Sequence, residues 1–234
     1  MGANSNKKRN VPFKEQFKNI TPITTNQKLA FSEYKKGKNL VLHGFSGTGK
    51  TLSAMYLGLE SLFKGEQSNI IIVRSAVPTQ DIGFLKGSYE EKIAPYEEPY
   101  DSICDFLFKT KNNYDELKER GYVTFMPVSF IRGITFDDSV IIVDEYQNCN
   151  YHQLSSVMTR MGNNSRIIFS GDYRQTDLHN NKDKKGILYF NEVLAHMDEF
   201  STIEFNAQDI VRSQVVKNFI VTEQKLVDSG KIII

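Results

Sequence analysis

No apolar run in this chain approaches the ~18 residues that a membrane-spanning helix requires, so the membrane class is set aside. The opening residues, MGANSNKKRN, are basic, but no apolar stretch follows them, which argues against a secretory leader. Cysteine is scarce: Cys104 and Cys149 are too few for a disulfide scaffold in a chain of this size and do not stand at zinc-ligand spacing. A reducing cytoplasm is the expected setting, with both thiols in bland positions. His43, His152, His179 and His196 form no metal-ligand pattern either. Charge is balanced, 29 Lys and Arg against 28 Asp and Glu, so a global basic excess does not announce a nucleic-acid binder. Internal repeats and low-complexity linkers are absent, and 234 residues suit one domain.

What is present is an ordinary globular composition, 40% hydrophobic and 24% charged. Local basic runs do occur. Lys7, Lys8, Arg9, Lys14 and Lys18 make residues 1–20 a basic, flexible arm ahead of a domain over 21–234, and Lys182, Lys184 and Lys185 form a second run. Short, β-branched apolar runs predict strands at Asn39–His43, Asn69–Arg74, Tyr122–Met126, Val140–Val143, Arg166–Ser170 and Thr202–Phe205. Amphipathic stretches between them predict helices at Thr51–Phe63, Tyr100–Phe108, Tyr151–Met161 and Ile187–Met197. Such alternation specifies an α/β fold with a mostly parallel sheet covered by helices on both faces. Ligands in that architecture sit beyond the carboxyl ends of the strands. Residues just after Met126, Val143 and Ser170 are therefore expected to gather near the turn that follows His43.

That turn carries the chemistry. Gly44-Phe45-Ser46-Gly47-Thr48-Gly49-Lys50-Thr51 fits the phosphate-loop pattern G-x-x-x-x-G-K-[ST], after a predicted strand and before a predicted helix. Main-chain amides curl round phosphate oxygens, and the helix aims its positive end at the same anion. Lys50 is expected to reach the β- and γ-phosphates of ATP, and the Thr51 hydroxyl to ligate Mg²⁺. A dinucleotide fingerprint is rejected, because Leu52 stands where the third glycine belongs. Val140–Val143 runs into Asp144-Glu145: two acids at a strand end suit a cation, with Asp144 as the Mg²⁺ holder and Glu145 as the base that polarises water. Gln175, in the stretch after the Arg166–Ser170 strand, is a candidate to bond the γ-phosphate and the attacking water.

Together these residues resemble the PhoH-like family, a single RecA-type ATPase domain related to superfamily-one helicases. The matching stretches are Gly44–Thr51, Arg74–Gly87 (RSAVPTQDIGFLKG), Glu91–Tyr96 (EKIAPY), Arg132-Gly133, Asp144–Asn148 (DEYQN), Gly171–Leu178 (GDYRQTDL) and Asp209–Arg212 (DIVR). The resemblance spans about residues 20–220. The phosphate loop and acidic pair are generic to such ATPases; the glycine-rich and proline-tyrosine stretches are more specific. Tyr146 departs from the family's usual shorter side chain without touching the two acids. The resemblance implies further roles: Gln27, closing Pro22–Gln27 (PITTNQ), as a reader of adenine, and Arg212 as a finger on the transferring phosphate. Arg74 and Arg132 either touch a nucleic-acid backbone or order the site. It also implies homo-oligomers, often hexameric rings, in which a neighbour supplies the missing face of the nucleotide, and coupling to single-stranded RNA or DNA.

Two other classes stay open at this level. A small-molecule or nucleotide kinase would need an acceptor pocket and usually an arginine-rich lid, and none is evident, Asn180–Gly186 being lysine-rich. A nucleotide-switched binding module with little turnover is the other. A guanine reader of the Asn-Lys-x-Asp type does not follow the acidic pair.

Overall fold

The computed structural model describes residues 11, 13–75, 89–172 and 181–231. In chain order the elements are α1 (Thr25–Lys35), β1 (Asn39–Gly44), α2 (Lys50–Lys64), β2 (Asn69–Arg74), α3 (Tyr89–Leu107), α4 (Asn113–Glu119), β3 (Val123–Pro127), β4 (Ser139–Asp144), α5 (Tyr151–Met158), β5 (Arg166–Gly171), α6 (Asn181–Ala195), β6 (Phe200–Phe205) and α7 (Gln214–Asp228), with short 3-10 turns between. The strands form one sheet in the order β3-β2-β4-β5-β1-β6, and every pairing is parallel. Strands apolar throughout require cover on both faces. Leu40, Leu42, Ile70, Ile72, Val140 and Ile142 pack with α1 to α4 on one face; Val41, Val73, Ile141, Val143, Ile167 and Phe169 pack with α5 and α6 on the other.

All six expected strands are found, with boundaries moved by a residue or two. Of the expected helices, Thr51–Phe63 is found within a residue at each end, and the other three moved further. α3 begins at Tyr89 rather than Tyr100, and Pro95 and Pro99 inside it disguise its first half in the sequence. The lysines after Asn181 likewise hide the start of α6, which ends at Ala195, and α5 stops at Met158. α1 is opened by a reciprocal cap: Thr24 Oγ1 accepts from the Gln27 amide, while Gln27 Oε1 accepts from main-chain N–H groups of Ile23 and Thr24. Cys104 and Cys149 are buried and unbridged, and burial pushes both thiols up to about 12, so they act as small hydrophobes. Of residues 1–20, those before Val11 and Pro12 itself lie outside the described residues; Phe17 stacks on Tyr56 at 5.2 Å and meets Phe63 and Phe108. Among the described residues no helix is long and apolar enough to cross a membrane.

One buried carboxylate ties the two ends of the chain together near the phosphate loop. Asp209, 2% exposed, accepts from the Asn26 side chain at 2.7 Å and from the Asn206 amide at 2.9 Å. Burial pushes its carboxyl up, but hydrogen bonds from Thr24, Asn26 and Asn206 outweigh that and hold it below the usual carboxylate range. A depressed folded-state value gives stability that is present above the unfolded value and lost as pH falls through the folded one. Asp209→Asn should therefore cost about 1–3 kcal/mol at neutral pH. In thermal melts the gap from the parent should hold from about pH 5 to 8 and narrow below about pH 4; a gap independent of pH would refute the charge-based tie.

Candidate nucleotide-binding site

β1 delivers the phosphate loop and α2 receives it. Gly44 ends β1 at φ +118°, and a Cβ there would lie 2.1 Å from the Phe205 carbonyl oxygen of β6, so only glycine lets the loop leave the sheet. The Phe45 amide donates to that same carbonyl at 3.0 Å. Lys50 Nζ, nearly buried, donates to the Gly44 and Phe45 carbonyls, each at 2.7 Å. Ser46, Gly47, Thr48, Gly49, Lys50 and Thr51 line a cleft of about 720 Å³ at the positive end of α2. Gln27 braces the loop from the α1 side: its Nε2 donates to the Thr48 carbonyl at 3.0 Å while its Oε1 serves the α1 cap. Both ends of the amide that was expected to read adenine are thus bonded to main chain.

Opposite the loop stand the acids at the end of β4. Thr51 Oγ1 donates to Asp144 Oδ1 at 3.0 Å, and the Tyr100 hydroxyl of α3 donates to Asp144 Oδ2 at 3.0 Å. Burial, then the Asp144 charge, raises the Tyr100 phenol well above its ordinary value, so it stays a donor. Asp144 is 3% exposed and Tyr100 fully buried. Glu145 sits in the left-handed region at φ 50°, which turns its side chain away from the strand path and into the cleft wall. Burial, and next the Asp144 carboxylate, push Glu145 above the usual carboxylate range, while Gln147, Arg74 and Lys50 pull it back. The result is a carboxylate of enhanced basicity. Gln147 spans two strand ends: its Nε2 donates to Glu145 Oε2 at 2.5 Å, and its Oε1 accepts from the Asp172 amide at 3.0 Å.

Arg212 closes the third side. The Val211 amide donates to the Gly47 carbonyl at 3.0 Å, and the Arg212 side chain lies over Gly47 and lines the cleft. This arginine reaches the loop within its own chain, held there by the Asp209–Asn26 tie one turn earlier. Arg74, at the end of β2, also lines the cleft, with Nη1 3.4 Å from the Tyr96 carbonyl. Arg132 does not join the group. It is exposed beyond β3, and β3 is an edge strand separated from β1 by β2, β4 and β5. The expectation that residues after Met126 gather at the loop fails for the same reason, whereas those after Val143 and Ser170 do line it. Gln175 lies outside the described residues, as do residues 76–88 of the matching stretches.

The sequence pattern assigns no role to Tyr100, Gln147 or the α3 wall of Pro99, Ser102, Ile103 and Phe106. Gln147 lies within the DEYQN stretch, but nothing in the sequence tells that its amide spans two strands. Fit to Mg²⁺ can be judged from the donors. A hydroxyl and a buried carboxylate 3.0 Å apart, at the mouth of a phosphate loop, are hard oxygen ligands of the kind Mg²⁺ takes alongside substrate phosphates. Among the described residues no cluster of three His, Cys, Asp or Glu could hold a metal by itself.

The family model described as PhoH-like protein matches residues 19–223. The chain belongs to the PhoH-like family. It is 35% identical over 205 residues to a PhoH-like protein of Bacillus subtilis (strain 168), covering 87% of this chain and 63% of that one. With a PhoH-like protein of Synechocystis sp. it shares 35% over 179 residues, 76% of this chain and 54% of the relative. The chain thus spans little more than half the length of these curated relatives. Among solved structures, the large terminase of a thermophilic bacteriophage in complex with ADP superposes with TM-score 0.52 at 14% identity, covering 85% of this chain and 49% of the terminase. That likeness shows the fold: a P-loop NTPase domain of RecA-like architecture.

The Gln147 strut generates a prediction for this PhoH-like domain. A Cβ on Gly171 would lie 2.1 Å from Gln147 Oε1 and 2.9 Å from the Tyr146 ring. Gly171→Ala should evict the Gln147 amide, cost about 1–3 kcal/mol of stability through overpacking, and depress nucleotide turnover more than nucleotide affinity. Equal losses of both, measured by binding titration and phosphate release, would show that the strut does not serve Glu145.

Proposed function

We propose that this chain binds ATP with Mg²⁺ and hydrolyses it, in a reaction coupled to single-stranded RNA or DNA. The observation that carries the reading is the convergence of Lys50, Thr51, Asp144, Glu145 and Arg212 on one cleft. Phosphate oxygens would replace the Gly44 and Phe45 carbonyls as acceptors for Lys50. Thr51 and Asp144 would hold Mg²⁺, which when bound neutralises charge on the β- and γ-phosphates. Glu145 then takes the proton of a water as its oxygen attacks the γ-phosphorus, and the bond to the β-phosphate oxygen breaks with the electron pair leaving on ADP. Arg212 stabilises the charge that spreads over the transferring phosphoryl group. A raised carboxylate braced by Gln147 at the cleft wall suits a general base, and the lysine-rich sequence Asn180–Gly186 offers no arginine-rich lid for a kinase. Gln27 in this reading holds the loop beside the adenine, and Gln175 bonds the γ-phosphate and the attacking water. The nucleic-acid coupling and the assembly into homo-oligomers rest on the resemblance to superfamily-one helicases and on the position of Arg74 at the cleft.

Three variants separate the roles. Lys50→Ala should weaken ATP binding itself. Glu145→Gln and Arg212→Ala should leave binding intact and lower turnover, the arginine by about 10³-fold or more. Full turnover by Arg212→Ala in a phosphate-release assay would end its assignment as the finger.

Adding single-stranded RNA or DNA should raise the hydrolysis rate, and the stimulation should fade as salt is raised. Native mass measured on the same sample should exceed that of one chain. A rate indifferent to both polymers would remove the coupling while leaving the ATPase reading in place.

A further inference from the structure

One polar group in the cleft has no partner among the described residues: the Ser170 hydroxyl, fully buried and without a hydrogen bond. Buried hydroxyls are bonded as a rule, and an orphan costs stability that selection would remove with a single change to alanine. Of the buried side-chain atoms without a hydrogen bond among the described residues, the Ser170 hydroxyl belongs to a residue that lines the cleft, where a ligand can complete it.

The sheet fixes where this one points. Ser170 is the register partner of Asp144 on β4 and of Leu42 on β1. Side chains alternate along a strand, and Ile168 and Ile142 face the layer that contains α2, so Ser170 and Asp144 face it too. Asp144 meets Thr51, the second residue of α2. β5 lies between β4 and β1, so Ser170 sits between the Asp144 carboxylate and the base of the phosphate loop, and it lines the same cleft. A neutral hydroxyl between an acid and an amide-lined loop can donate to an anionic oxygen there.

We infer that the Ser170 hydroxyl is a nucleotide-contacting group, donating a hydrogen bond to an oxygen of the terminal phosphate of a bound nucleoside triphosphate. The inference deepens the ATPase reading and rests on it. Ser170 tells a triphosphate from a diphosphate, and it does so from the strand end that leads into Gly171 and Asp172, where the Asp172 amide is joined through Gln147 to Glu145. Occupation of the terminal-phosphate position is thereby read next to the general base.

The test compares Mg²⁺ complexes of ADP and of a nonhydrolysable ATP analogue by calorimetric titration, for the parent chain, Ser170→Ala and Ser170→Cys, together with melting of each protein free of nucleotide. In Ser170→Ala, the affinity for the ATP analogue should fall about tenfold or more, as loss of a hydrogen bond to a charged group implies. ADP affinity should be unchanged, and the nucleotide-free melting temperature equal or higher, because an unmet hydroxyl has been removed. Ser170→Cys, of the same shape with a weaker donor, should fall between. An unchanged ratio of the two affinities overturns the inference, as does an equal loss for both nucleotides accompanied by a lower melting temperature. A parent chain that binds neither nucleotide overturns the ATPase reading, and this inference with it.

Discussion

The hydrogen bond from Thr51 to Asp144 is the contact on which the site's organisation depends. Thr51 opens α2, which the phosphate loop leads into, and Asp144 ends β4 two strands away from β1. A buried carboxylate in that position is costly unless donors meet it. Here Thr51 meets one oxygen and Tyr100 the other, so α2, β4 and α3 are fastened at a single acid. The acid-bearing wall of the cleft takes its position from that junction, while the loop and Arg212 have their own anchors. Glu145 is the next residue along, Gln147 reaches from Glu145 to the head of β5, and Arg74 is the register partner of Asp144 on β2.

Much of this was legible in the sequence, for identifiable reasons. The strands were readable because a sheet covered on both faces selects unbroken apolar runs such as NIIIVR and VIIV, and those need no long-range information. The phosphate loop was readable because its glycines, lysine and threonine serve a local backbone geometry. Asp144-Glu145 was readable because two acids closing an apolar strand demand a partner. Once these were placed at strand ends, the rule that ligands sit at the carboxyl edge supplied the site. It failed for the residues after Met126, since the rule does not say which strand is at the edge, and strand order comes only from packing.

What the sequence hid is long-range hydrogen bonding. Tyr100 is a tyrosine in a helix with two prolines, and nothing local distinguishes it from Tyr96 or Tyr89; its role follows from a bond to a residue 44 positions away. Gln147 bridges a gap of 25 positions to Asp172. Asn26 and Asp209 are 183 positions apart and anchor the loop that carries Arg212. Gln27 shows the opposite case: sequence resemblance singled it out for adenine, and the structure uses its amide to cap α1 and hold Thr48. A group can serve both ends only if adenine approaches from the side its main-chain bonds leave open.

The placement of Arg212 bears on how one lobe can work. An arginine finger brought by a neighbouring subunit makes turnover depend on assembly, whereas this arginine lies against Gly47 of its own loop. Its segment is fixed by a buried acid and by a main-chain bond from Val211 to the loop, so its place beside Gly47 does not require a second chain. What this domain lacks on that side, among the described residues, is cover. Arg212 and Val211 are exposed on the outer side of the cleft, and α7 beyond them buries none of its residues and presents Val215, Val216 and Phe219 to solvent. Water has free access to a nucleotide on that side, and each charge interaction there is correspondingly weakened. A neighbour seated over this rim would act by excluding water and strengthening the Arg212 interaction, without contributing a catalytic group. Cover over this rim would thus act through the dielectric of the cleft rather than through added chemistry.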